Sequence, residues 1–208
     1  MIIYQPLQAT PQQFFEFWSL RYQDKQEHLY LSNIGKDLSM QRILDLYQWK
    51  NGTPLSARKL TSVLENFVRR SVELAQLPPD INANDFLLHF KNGGAIWRIF
   101  WLHCWQPNRF PIYDQHVHRA MTFIRNGVSE EIPQYDPRKI QTYLDIYLPF
   151  HAQFSGIDGR AVDKALWAFG KFINEVQFPL VAPNVTPAVH RTLSDKVAQH
   201  PLNPMPRT

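Results

Sequence analysis

A short stretch in the middle of the chain gathers residues able to do chemistry. Asp114-Gln115-His116-Val117-His118-Arg119 brings together a carboxylate, two imidazoles and a guanidinium, directly after Phe110-Pro111-Ile112-Tyr113. An ionised carboxylate can stabilise a developing positive charge or orient an attacking water. It can also act as a helix cap. Val117, Ala120, Met121 and Ile124 repeat as one helical face and Asp114 stands three residues ahead of Val117. An aspartate so placed accepts from amides two or three residues on, worth about 0.5–2 kcal/mol. The local pattern by itself favours the cap. Asp114, His116 and His118 are also potential metal ligands, and on a strand their spacing would put all three on one face. On a helix successive members sit about 200° apart and cannot converge. The helical pattern therefore argues against a metal, and no cofactor is expected. Cys104 follows His103 on an apolar stretch, where a buried free thiol is a better expectation than a nucleophile.

Ahead of this segment lies a turn, Lys91-Asn92-Gly93-Gly94, between two apolar runs. Asn-Gly between such runs signals a β-hairpin. The same glycines also suit a helix–turn–helix, since they permit a left-handed backbone and leave the next helix's amides free for an anion. Ala95 to Trp105 is apolar nearly all round, as a buried helix or a central strand would be. The helical hairpin is favoured because the surrounding chain reads as helix and a sheet would lack partners.

Those helices announce themselves. Thr10-Pro11-Gln12-Gln13 has the pattern of a capping box with proline at the first helical position. Met40, Ile43, Leu44 and Tyr47 keep helical spacing from Ser39 until Asn51-Gly52. Leu60, Val63, Leu64, Phe67, Val68 and Ala75 extend another from Ser56 to Pro78-Pro79. Asp136-Pro137 is expected to cap a further helix carrying Ile140, Tyr143, Leu144 and Tyr147, and Asp158-Gly159 to lead the last, with Val162, Leu166, Phe169 and Ile173 aligned. The expected class is all-α: one helical domain over residues 1–178, then an extended or disordered tail over 179–208 that holds six prolines.

Composition narrows the partners. The 208 residues are 44% hydrophobic and 19% charged, which suits a folded domain and excludes a disordered chain, a collagen or a coiled coil. One cysteine excludes a disulfide framework and a four-cysteine metal site. No apolar run approaches the ~20 residues that cross a bilayer. The start, MIIYQPLQATPQQ, lacks the features of a signal peptide. A cytoplasmic monomer with no membrane contact is expected. The net charge is only +4, but residues 36–125 carry 12 basic against 7 acidic side chains, where a polyanion would be attracted. An ordinary solvated surface would carry the same charge.

At the hairpin and the Asp114 segment the chain resembles the helix-hairpin-helix DNA glycosylase superfamily. In that family a glycine-containing hairpin is followed some twenty residues later by a proline, Asp-x-His-Val and a basic residue. Here Gly93-Gly94 is followed by Pro111, Asp114-Gln115-His116-Val117 and Arg119, with Asp114 lying 20 residues past Gly94. The likeness is to the 8-oxoguanine DNA glycosylase-like branch and its uncharacterised bacterial relatives. Trp49-Lys50-Asn51-Gly52 and the segment Ala165 to Lys171 are also similar to segments of those relatives. The resemblance implies two helical halves with a groove between them, duplex DNA with a damaged or modified base as partner, and base excision repair as setting. It implies Asp114 as the catalytic carboxylate for hydrolysis of the N-glycosidic bond. Lys91, Asn92, Gly93, Gly94, Ala95, Arg98, His116 and Arg119 are implied as DNA contacts, and Trp97, Tyr113 and Trp167 as walls for a flipped base.

The chain departs from the family in two places. Phe90-Lys91-Asn92-Gly93-Gly94 replaces the usual Leu-Pro-Gly-apolar-Gly hairpin, and Ile96, Trp97 and Arg98 stand where lyase members carry a nucleophilic lysine. Base removal by water does not need that lysine. The competing readings are a catalytically inactive helix-hairpin-helix module that binds DNA or nucleotides, in repair or in defence against foreign DNA, and a protein–protein adaptor using the proline-rich tail.

Overall fold

The first helix begins as its opening residues dictate. The Thr10 hydroxyl accepts the Gln13 amide and the Gln13 side chain accepts the Thr10 amide, with Pro11 in the first turn of α1 (Pro11–Ser19). The computed structural model describes residues 10–176, and every regular element among them is helical. The tail assigned to 179–208 lies outside the described residues.

After α2 (Glu27–Asn33), α3 (Met40–Asn51) starts behind Ser39 and stops at Gly52, which adopts the left-handed conformation. α4 (Ala57–Val63) is capped by Ser56 and widens into a π-type turn over Leu64–Val68, followed by a 3₁₀ stretch, Ser71–Gln76. The single helix expected from Ser56 to Pro78 is therefore three short pieces. The wider turn carries Phe67 into the core, stacked on Tyr47 at 4.6 Å between ring centroids. Apolar residues three and four apart occur in α and π turns alike, so spacing does not reveal the switch.

The glycine turn joins two helices, α5 (Ala83–His89) and α6 (Ala95–Trp105), which resolves the choice between helical and β hairpin. Gly93 has φ +98°, and a Cβ there would lie 2.7 Å from the Phe67 ring, so the turn depends on glycine twice over. Cys104 is buried on α6 and burial pushes its thiol pKa far up, as expected of an inert core cysteine. α7 (Gln115–Asn126) follows a turn at 107–109 and a short stretch without regular structure, 111–114, whose backbone is extended at Asp114. α8 (Asp136–Thr142) then runs through a second π-type turn, Tyr143–Tyr147, into α9 (Leu148–Ala152). Asp136 is not the cap of α8. Tyr135 holds that position, and the Asp136 carboxylate turns instead to the Ala95 amide at 3.1 Å. α10 (Gly159–Glu175) is capped by Asp158, whose side chain accepts the Ala161 amide.

α10 packs along α7 and α1. At the crossing with α7, a Cβ on Gly170 would lie 1.8 Å from the His116 carbonyl oxygen, so the helices approach only because the side chain is absent. No helix among the described residues is long and apolar enough to cross a membrane. Replacing Gly170 by alanine should lower stability by about 2 kcal/mol or more, because backbone on both sides must shift. Urea unfolding of the variant checks this, and a change under half a kcal/mol would contradict the close crossing.

Candidate active site

The segment that delivers Asp114 has no sheet to satisfy its backbone, and side chains take over that task. His103 Nδ1 lies 2.7 Å from the Phe110 carbonyl oxygen. The Tyr143 and Tyr147 hydroxyls donate to the Pro111 and Ile112 carbonyls at 3.3 and 3.0 Å. Lys50 Nζ donates to the Tyr113 carbonyl at 3.3 Å. The Ile112 amide donates to Asp163 Oδ2 at 3.4 Å. With Nδ1 donating to Phe110, His103 accepts the Tyr30 hydroxyl at Nε2, and burial holds it neutral with a pKa of about 3. The four carbonyls from Phe110 to Tyr113 and the Ile112 amide thus have side-chain partners, and Asp114 is held in one place at the head of α7.

Asp114 divides its two oxygens between two tasks. Oδ1 accepts the amides of His116 and Val117 at 2.9 and 3.1 Å, the expected cap. Oδ2 meets Lys50 Nζ, from the last turn of α3, at 3.1 Å. The Asp114 side chain keeps 19% of its surface exposed, whereas that of Lys50 keeps 6%. Burial raises the Asp114 pKa, but the Lys50 charge, the Val117 amide and nearby His116 outweigh it and hold the carboxyl below its ordinary range. The cap and the Lys50 ion pair thus use different atoms of one side chain.

Both residues line an open cleft of about 470 Å³, with Trp49, Trp97, His116 and Trp167 among its walls. Trp167 meets the His116 and Tyr22 rings edge to face, each at 5.2 Å. Two of the three expected aromatic walls, Trp97 and Trp167, therefore lie in the cleft. Tyr113 does not. It is fully buried against Tyr143 and Tyr147, with its hydroxyl 2.8 Å from His118 Nδ1. Where the backbone is extended, as at Asp114, neighbouring side chains point to opposite faces, so the residue beside it turns into the core.

The expected DNA contacts separate as well. Arg98 is buried and donates to the Phe90 and Leu87 carbonyls, tying α6 to the end of α5, so it is a hairpin clasp and not a phosphate ligand. Arg119 is buried and forked onto Glu131 at 2.9 and 2.8 Å. The Ala95 amide is occupied by Asp136, which Lys139 also holds at 2.8 Å, so the chain's own carboxylate fills the anion seat at the start of α6. Lys91, Asn92 and Gly94 are exposed in the turn and Gly93 partly so. Gly93 and Gly94 border a shallow groove with Arg58, Lys59 and Lys139, and this groove shares Ile96, Trp97 and Lys139 with the cleft.

Lys50, Arg160 and Asp163 are site residues to which the sequence assigned no role. Arg160 pairs with Glu27 at 2.8 Å and lies 4.3 Å over the Tyr30 ring. Lys50 is 64 positions from Asp114, a separation no motif spacing can express. Asp163 carries a faint signal: it lies three residues before Leu166 and seven before Gly170, an acid on an apolar helical face. Among the described residues no group of three or more His, Cys, Asp or Glu is placed to hold a metal. The chain matches no family model, and no curated protein or solved structure proved similar to it. Lys50→Met should raise the pH at which Asp114 takes up a proton, because the positive charge on its Oδ2 is gone. A ¹³C carboxyl titration reads this, and an unchanged midpoint would remove Lys50 from the site.

Proposed function

We propose that the chain is a DNA glycosylase that hydrolyses the N-glycosidic bond of a base turned out of duplex DNA into the cleft. The observation that carries the reading is Asp114, a carboxylate held ionised at the wall of an aromatic-lined cleft, with part of its surface still accessible. A cleft of about 470 Å³ suits a small ligand, and Trp97 and Trp167 offer flat apolar faces for a base to stack on. The groove beside the hairpin shares Ile96, Trp97 and Lys139 with the cleft, and since Lys139 is paired with Asp136, Arg58 and Lys59 are its cations for a backbone phosphate.

The chemistry follows from charge. As the bond to the base breaks, positive charge grows on the sugar, and a carboxylate fixed in advance stabilises it without reorganising. Lys50 keeps Asp114 ionised and oriented. Two of its three protons are engaged with Asp114 and the Tyr113 carbonyl and its side chain is 6% exposed, so it holds the carboxylate in place. Water is taken as the nucleophile, with no covalent sugar–lysine adduct.

The test is release of free base from duplex oligonucleotides carrying one altered base each, such as 8-oxoguanine, hypoxanthine or uracil. Asp114→Asn keeps a good cap, since asparagine caps as well as aspartate, but loses the negative charge. Release should fall by about 100-fold or more, with salt-dependent duplex binding retained and no product trapped by borohydride. Full activity in the variant would reject the mechanism. Binding with no release from a broad panel would favour an inactive binding module instead.

A further inference from the structure

One buried carboxylate has no part in the steps above. Asp163, on α10, is 5% exposed. It lines the cleft that holds Asp114 and also a second cavity of about 520 Å³, and Asp163 and Arg160 are the residues common to both. Its Oδ2 accepts the Ile112 amide, two residues ahead of Asp114. Its Oδ1 is buried without a hydrogen bond, and 3.7 Å away lies His151 Nε2, from α9, in the same condition. Holding the Ile112 amide would need only one oxygen, which asparagine supplies equally well. Two buried polar atoms left facing each other cost free energy, and such an arrangement is informative when it joins two cavities.

We propose that Asp163 is the acid of this site: it carries the proton that the departing base takes, and His151 renews that proton from the second cavity. The assignment rests on the base-release reading. The carbon–nitrogen bond breaks with its electron pair leaving on the base nitrogen, which takes the Asp163 proton. The water oxygen bonds to the sugar carbon and its proton passes to the Asp114 carboxylate, then to solvent. Asp163 regains a proton through His151, so the sum is hydrolysis with no other reactant.

The surroundings agree with these roles. Burial pushes Asp163 up to about 7; the Arg160 and Lys50 charges and the Ile112 amide pull it down, and Asp114 pushes it up. Tyr30, Tyr143 and Tyr147 face it as un-ionised hydroxyls, their pKa values raised chiefly by burial. His151 is lowered to about 4 by burial and stays neutral, able to accept a proton and pass it on. Two carboxylates whose environments drive them apart divide into an acid and a standing charge.

A ¹³C carboxyl titration of the full chain should place Asp163 near 7, and a midpoint below about 5 would overturn the proposal. With duplexes carrying 8-oxoguanine, hypoxanthine or uracil, single-turnover release should fall about tenfold per pH unit above that midpoint. Asp163→Asn should slow release about 100-fold and flatten that limb, while melting no lower than the wild-type chain and keeping its binding to a duplex with a tetrahydrofuran abasic analogue. His151→Phe should keep the first turnover and slow later ones, with imidazole buffer restoring them. An unchanged alkaline limb in Asp163→Asn, or unchanged later turnovers in His151→Phe, would overturn the relay. If the wild-type chain released no base at any pH, the glycosylase reading would fall by itself. The titration alone would then decide whether Asp163 stores a proton.

Discussion

Four carbonyl oxygens in succession, from Phe110 to Tyr113, are held by side chains from α3, α6 and the π-type turn ahead of α9, and the Ile112 amide by α10. A buried segment outside helix or sheet cannot leave its polar groups unmet. Meeting them with side chains from four elements makes the position of this segment a property of the whole core. Asp114 sits at its end, so its placement is set by long-range packing as much as by the helix it caps. The arrangement also explains the buried tyrosines: Tyr143 and Tyr147 are apolar bodies whose hydroxyls each have an assigned carbonyl.

Electrostatically the cleft is built from two acids treated in opposite ways. Asp114 has Lys50 and helix amides and is held below its ordinary range; Asp163 is deeper, less well paired and raised to about 7. Their effects on stability have opposite signs. The raised pKa of Asp163 favours the folded chain at low pH, and that contribution is lost as pH rises through about 7. The lowered pKa of Asp114 favours folding above its unfolded value and is lost in acid. A buried acid that destabilises the fold at neutral and alkaline pH is the kind of local conflict that function can explain and packing cannot.

The hairpin illustrates how one surface feature can be answered from within. Gly93 and Gly94 free the first amides of α6, yet Asp136 occupies the Ala95 amide and Lys139 compensates Asp136. The cations that remain beside the turn, Arg58 and Lys59, come from α4, another part of the chain. The groove beside the turn is thus a product of tertiary structure and not of the glycine motif alone.

Much of this protein was legible residue by residue. The capping box at Thr10, the stop at Gly52, the glycine turn and the cap by Asp114 are interactions over a few residues, and the all-α class follows from them. The same locality limited what could be read. Tyr113 and Asp114 are neighbours with opposite fates, Arg98 and Arg119 are spent inside the fold, and the partners that define the cleft, Lys50 and Asp163, lie 64 and 49 positions from Asp114. Local hydrogen bonds and periodicity are encoded in spacing, so the all-α class and the helix ends at Thr10, Gly52, Asp114 and Asp158 could be read from the sequence, whereas the breaks at Leu64 and Tyr143 and the cap of α8 could not. Burial, pairing of charges and the meeting of two cavities at one carboxylate depend on which helices touch, and only the tertiary structure decided them.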